Sequence, residues 1–182
     1  MDDAEQYCRR FVRTWAEAVA RQVKHVRQMR DKAARQGRAY EAMGPELGPD
    51  ELDLARNARQ LWADEQALVW AAHQLERWTR RLALERDEEP RPRDKVLADL
   101  RNALEHLDEA DFDGGAAIPG EGSRSLAALP GGRLSLRSGG GLAFGLIEVG
   151  DLERRALALV DAVEEELMEE AAEWWAEMNS GR

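Results

Sequence analysis

Cysteine is almost missing from this chain, and that scarcity is the first constraint. Among 182 residues there is one cysteine, Cys8, so no internal disulfide can form and a fold stapled by several bridges is excluded. Cys8 lies in an apolar helical pattern, which makes it a buried core thiol and fits a reducing cytoplasm. Long apolar runs are missing too. No window approaches the roughly 18 uncharged apolar residues of a membrane span, and "MDDAEQYCRR" has no signal-peptide core. A cytoplasmic protein with no membrane partner is therefore expected. A Gly-Lys-Ser/Thr ending is also absent from the glycine-rich part, which excludes a phosphate-cradling P-loop. Positive charge is in deficit: the formal net charge is −10, which argues against unspecific binding to nucleic acid.

What remains is the composition of a globular domain, with 43% hydrophobic and 34% charged residues. A chain of this length suits one domain, large enough to bury a core without staples. Its charge is unevenly placed. Residues 1–38 carry ten Arg/Lys against five Asp/Glu, whereas residues 148–182 carry three Arg against eleven Asp/Glu. Such asymmetry can hold the first helix near the last, within or between chains, or leave a basic groove for RNA. The plainest reading is a pair of solvated faces.

Apolar residues at Cys8, Phe11, Val12, Trp15, Val19, Val23 and Val26 recur in steps of three and four and predict a long first helix over 3–36, stopped by Gly37. "AMGPELGPDE" breaks the chain, with Asp50 as N-cap of a second long helix over 51–86. Its inward set is Leu54, Ala58, Leu61, Trp62, Leu68, Val69, Ala72, Leu75 and Leu82, with Trp70 and Trp78 towards the flanks. Pro90 and Pro92 end it, and Asp94 caps a third helix reaching about Ala110. Ten of the fifteen glycines then fall between Gly114 and Gly145. There "RLSLR" and "LAFGLIEV" around "SGGG" predict a β-hairpin, with Leu134 and Leu136 on one face. A last helix over 151–178 points Leu152, Ala156, Leu159, Val163, Leu167 and Ala171 inward, with Trp174 or Trp175 in the end-of-bundle core. The fold class is mainly α, an up-down bundle of about four helices with a small Gly-rich hairpin insertion, 113–147, before the last helix.

The third helix holds the residues with chemistry. On a helical wheel Val96, Leu97, Leu100, Leu104 and Leu107 define its core face, and Asn102 and His106 point away from that core. Arg101 sits on the edge of the apolar stripe, one turn from Glu105. An exposed Arg101–Glu105 ion pair and a histidine near a carbonyl-rich helix end account for this set without any chemistry. His25 and His73 lack such neighbours and read as structural, and Arg56–Asn57 in "ARNARQLW" has no histidine four residues later.

"LRNALEHLDE" resembles the signature of the HEPN superfamily, in which Arg, a polar residue, a short gap and His lie on a helix of an all-α bundle. The match is Arg101, Asn102, three residues and His106. It covers some ten residues sharply and 1–110 with 151–182 loosely, leaving the glycine-rich insertion aside; on this reading residues 1–182 are one HEPN-like domain. The resemblance implies a homodimer whose motif helices face each other, a metal-independent endoribonuclease of the toxin or phage-defence type, and a nucleotidyltransferase-type antitoxin as partner. Arg101 and His106 are about 140° apart on one straight helix, too far to grip one phosphate, and a two-fold axis can bring Arg from one chain to His from the other. The expected roles are His106 for proton transfer, Arg101 for phosphate, Asn102 for orienting the imidazole or binding substrate, and Glu105 for positioning Arg101. Some relatives carry a Tyr two residues after the His, where the antitoxin attaches a nucleotide; here Asp108 stands there. Asp108, Glu109, Asp111 and Asp113 can in principle ligate a hard cation, but they lack the EF-hand order with its Gly and closing Glu. Neither metal nor cofactor is expected. The alternative is a non-catalytic HEPN-like module for protein interaction or dimerisation, a reading the net charge and the acidic "VEEELMEEAAEWWAE" favour.

Overall fold

The computed structural model describes residues 3–121, 124–137 and 141–180. Among them, four helices carry the fold: α1 (Asp3–Leu47), α2 (Glu51–Glu85), α3 (Lys95–Glu105) and α4 (Val149–Ser180). Five short strands lie between the last two: β1 (Asp111–Asp113), β2 (Ala116–Ile118), β3 (Leu134–Ser135), β4 (Leu142–Ala143) and β5 (Ile147–Glu148). The mainly α bundle with a small hairpin before the last helix is thus the architecture. No helix among the described residues is long and apolar enough to cross a membrane.

The long helices form because their apolar stripes meet. Val12, Ala16, Val19, Val23 and Val26 of α1 are fully buried, facing Leu61, Leu68 and Val69 of α2. The thiol of Cys8 is buried as expected. Phe11 is partly exposed and stacks on Trp78, with ring centroids 4.3 Å apart. Helix α1 continues past Gly37 to Leu47, and the reason lies in α2. On both sides of Gly37 the two helices bond to each other: before it Asn57, itself buried, donates to Gln36 at 2.6 Å and accepts from Lys32 at 3.1 Å, and after it the Tyr40 hydroxyl donates to Glu51 at 2.8 Å. One interior glycine costs about 1 kcal/mol against alanine, and that packing outweighs it. The break comes instead at Gly44, in the left-handed region at φ 69°. Gly48 then packs so close that an added Cβ would lie 2.7 Å from the Gly44 carbonyl oxygen.

Asp50 and Asp94 are the N-caps expected, accepting from the backbone N–H of Leu52 and of Leu97, each at 3.1 Å. Asp94 does more. Its own N–H donates to Glu76 of α2 at 3.0 Å, and its carboxylate accepts from Arg155 of α4 at 3.1 Å, so one residue joins three helices.

Strand pairing differs from the reading of the sequence. "RLSLR" does not pair with "LAFGLIEV". β3 adds to β2, which pairs with β1, all antiparallel, in the order β1-β2-β3. The hairpin before α4 is β4 with β5, both inside "LAFGLIEV", in the register Leu142 with Glu148 and Ala143 with Ile147. Phe144 and Gly145 take the left-handed turn positions at φ 51° and 73°. Residues 138–140 of the expected "SGGG" turn lie outside the described residues. Leu134 is buried, with Leu136 packed beside it, as the alternation required.

Inward assignments fail on two helices. Ala58 is exposed, and so are Leu167, Ala171, Trp174 and Trp175. The periodicity of α4 runs on after the bundle has ended, because α2 stops at Glu85 and leaves nothing opposite. The charge asymmetry, by contrast, is a contact. Arg9 pairs with Glu166 and Glu170, Arg13 with Glu164 and Arg27 with Glu153, which lays α4 antiparallel along α1 within the chain.

At the end of the bundle Arg86 makes a two-pronged bond to Glu166 at 3.0 and 2.6 Å and donates to Glu5 at 2.9 Å. Hydrogen bonds from Arg9 and then Arg86 hold the Glu5 carboxyl below its usual range, and Arg86 does the same for Glu166. A carboxylate with a depressed folded pKa contributes stability above its unfolded value that is lost as pH falls through the folded one. Urea midpoints are expected to drop as pH falls below about 4.5, the ordinary value, with a shallower drop in a Glu5→Gln, Glu166→Gln double variant. A second measurement concerns Glu65, whose carboxylate is buried in the centre of the fold and bonded to Arg30. Glu65→Ala is expected to cost about 3–5 kcal/mol in urea unfolding, because it strands the Arg30 charge.

Candidate functional site

Helix α3 is amphipathic and short. Leu97, Leu100, Ala103 and Leu104 are buried against α2 and the turn at Leu126, which leaves the polar side outward. The helix ends at Glu105, earlier than expected, with His106 as its C-cap at φ −108° and ψ 26°. Leu107–Glu109 then form one 3₁₀ turn before β1. Ala110 is already extended, at φ −87° and ψ 150°, and leads directly into β1, which pairs with β2.

The four candidate residues occupy distinct settings. Arg101 is half-buried, lies over the ring of Trp70 with its Cζ 5.4 Å from the centroid, and pairs with Glu105 one turn on. Its Nε is buried with no partner. Asn102 is exposed, and its carbonyl accepts the His106 backbone N–H at 3.2 Å. His106 is exposed, and its Nδ1 lies 3.0 Å from the carboxylate of Glu109. That imidazole bond goes to Glu109 rather than to Asn102. With Glu109 ionised, Nδ1 carries the proton of the neutral imidazole and Nε2 is left as its basic nitrogen.

Helix α2 contributes what the motif alone did not reveal. His73 is half-buried with an unpartnered Nδ1. Burial first, then the guanidinium charges of Arg101 and Arg77, hold its pKa below the usual imidazole value. Trp70, three residues before it, supplies the face on which Arg101 rests. His25, on the other hand, is structural: its Nε2 meets Asp64 of α2 at 3.1 Å. Nothing in the local sequence links Trp70 or His73 to Arg101, since only the docking of α3 on α2 brings them together. Glu109 had a signal, three residues after His106 at helical reach, but it stood among acids that suggested a cation. Among the described residues no three His, Cys, Asp or Glu side chains are grouped as a metal ion needs.

Chemically, the arrangement offers a stacked guanidinium held by an exchangeable carboxylate, and an oriented imidazole at the end of the same helix. The Arg101–Glu105 pair is part-exposed, so an anion can displace Glu105 at small cost. No protein-family model, curated protein or solved structure matches the chain.

His73 gives the direct check on this geometry. Its imidazole is expected to titrate below the ordinary value of about 6.5, with the Arg101→Gln variant moving it upward, as followed by two-dimensional NMR of the ring protons.

Proposed function

We propose that the chain is a metal-independent endoribonuclease of the HEPN type, acting through a composite site formed where two copies meet. One observation carries the reading. The polar side of α3 faces away from the core and ends in His106, whose Nδ1 is held by Glu109 so that Nε2 is left as the basic nitrogen. RNA supplies its own nucleophile, so the protein needs none. In the proposed step His106 Nε2 takes the proton of the 2′-hydroxyl, whose oxygen attacks the adjacent phosphorus. The bond from phosphorus to the 5′-oxygen breaks, that oxygen takes a proton from water as it leaves, and the His106 imidazolium gives its own proton back to solvent. The products are a 2′,3′-cyclic phosphate and a 5′-hydroxyl. Arg101 binds two phosphate oxygens in exchange for Glu105 and stabilises the charge of the pentacoordinate state. Asn102 binds substrate through its amide. The two-fold pairing places Arg101 of one copy beside His106 of the other.

On this reading the biology is that of a cytoplasmic toxin or defence effector, with a nucleotidyltransferase-type antitoxin as partner. Asp108, where some relatives carry the modified Tyr, points to silencing by another route, such as occlusion.

A second reading, a non-catalytic interaction module, is favoured by α4. Leu167, Ala171, Trp174, Trp175 and Met178 form an exposed apolar stripe at helical spacing, flanked by acids. Such a stripe fits a docking helix better than an enzyme's surface.

Arg101→Ala and His106→Ala are each expected to lower RNA cleavage by at least about 10²-fold, with the helical circular dichroism unchanged. RNA cut as fast by the purified double variant would overturn the reading. Intact RNA after long incubation with wild-type dimer would favour the interaction module.

A further inference from the structure

Beside Arg101 the three helices α1, α2 and α3 leave a hollow of about 350 Å³. Trp15, Val69 and Trp70 make its walls, and Gln66, Arg101 and Glu105 bring the polar atoms to its edge. Trp70 is 42% exposed, a large aromatic surface left to water beside the buried Val69 and Ala71 of the same helix. A volume in the lower part of the range of small-ligand sites, about 300–1,000 Å³, matches one flat ring system rather than a peptide or a chain. Aromatic walls with a few polar groups at the rim are how proteins hold an unstacked nucleobase, by stacking on its face and hydrogen bonding to its edge.

We propose that this hollow is a base subsite for single-stranded RNA, holding the base of a nucleotide whose phosphate lies on Arg101. The proposal rests on the ribonuclease reading and narrows its substrate class. Arg101 is a wall of the hollow and the phosphate ligand at once, so base and phosphate of one nucleotide reach their partners together. The charge nearby suits the strand. Arg101, Arg77 and Arg93 lie close enough to His73 to act on its ionisation, with Glu105 opposing them, so guanidinium groups outnumber carboxylates around that imidazole in a chain of net charge −10. Duplex RNA does not fit. Its bases are stacked and paired, and its A-form backbone holds the 2′-oxygen out of line with the 5′-oxygen that must leave. A strand unstacked onto Trp70 is free to reach the in-line geometry. The Gln66 amide, a donor and an acceptor in one group, and the Glu105 carboxylate, released when phosphate takes Arg101, can both read the base edge.

The test uses the full-length protein and a short mixed-sequence strand with every 2′-hydroxyl methylated, which cannot be cut. Binding is read by tryptophan fluorescence and by anisotropy of a labelled end. The single strand is expected to quench the fluorescence and bind at least tenfold tighter than the same strand in duplex. Trp70→Ala is expected to weaken it roughly tenfold or more, with Trp70→Phe recovering most of the loss. On cleavable RNA, Trp70→Ala is expected to raise KM more than it lowers kcat. Equal binding of single strand and duplex, no binding, or a Trp70→Ala variant that binds as the wild type would overturn the subsite, and cleavage by Arg101 and His106 would stand untouched. Binding through Trp70 with no cleavage of unprotected RNA would keep the subsite and overturn the ribonuclease.

Discussion

The carboxylate of Glu65 is the point on which this fold turns. It is 1% exposed, in the middle of α2, and each oxygen has a separate task. Oε1 accepts both Nε and Nη2 of Arg30 at 2.9 and 2.7 Å, and Oε2 accepts the backbone N–H of Phe144 at 3.3 Å. The same guanidinium donates to the Gly141 carbonyl at 3.2 Å. A charge so deep is tolerated only when its partners are complete. Its demands therefore fix α1 against α2 and seat the β4–β5 hairpin on both. Phe144 can then hold a left-handed backbone that its side chain disfavours, because its N–H is bonded and its ring packs edge-on against Trp62 at 5.8 Å. The hairpin in turn delivers the chain into α4 at Val149.

Around that centre the helices obey the pattern of their apolar residues, and those parts were open to reading. The valine steps of α1 and the caps Asp50 and Asp94 follow from local chemistry. The excess of arginine at one end and of acid at the other foretold contact between α1 and α4, although solvated faces were the plainer reading. What local chemistry could not tell was where partners stop. Gly37 looks like a terminator until Asn57 and Gln36 are seen to bond across the helix pair. Leu167 and Trp174 look inward until α2 is seen to end opposite them. Strand pairing suffered most, since strands of two or three residues carry almost no register information of their own.

The candidate site divides along the same line. Arg101, Asn102 and Glu105 share one helix with His106 at its C-cap, so spacing alone grouped them and turned Asn102 and His106 away from the core. His73, Trp70 and Trp15 come near Arg101 only through packing of α1, α2 and α3, a contact between residues far apart in sequence. Glu109 stands between the two cases. It was visible as an acid three residues from His106, but its bearing on the imidazole depends on the helix giving way to a 3₁₀ turn at that place.

The final stretch of α4, past the grip of Arg9 and Arg86, has a consequence for how it persists. An isolated helix shorter than about 12–15 residues is marginal in water, and the segment from Ala171 to Ser180 has no buried residue to sustain it. Its winding is borrowed from the anchored turns before it and weakens with distance from them. Any molecule that covers Trp174 and Trp175 therefore does two things in one event: it gains contact area, and it lengthens the rod.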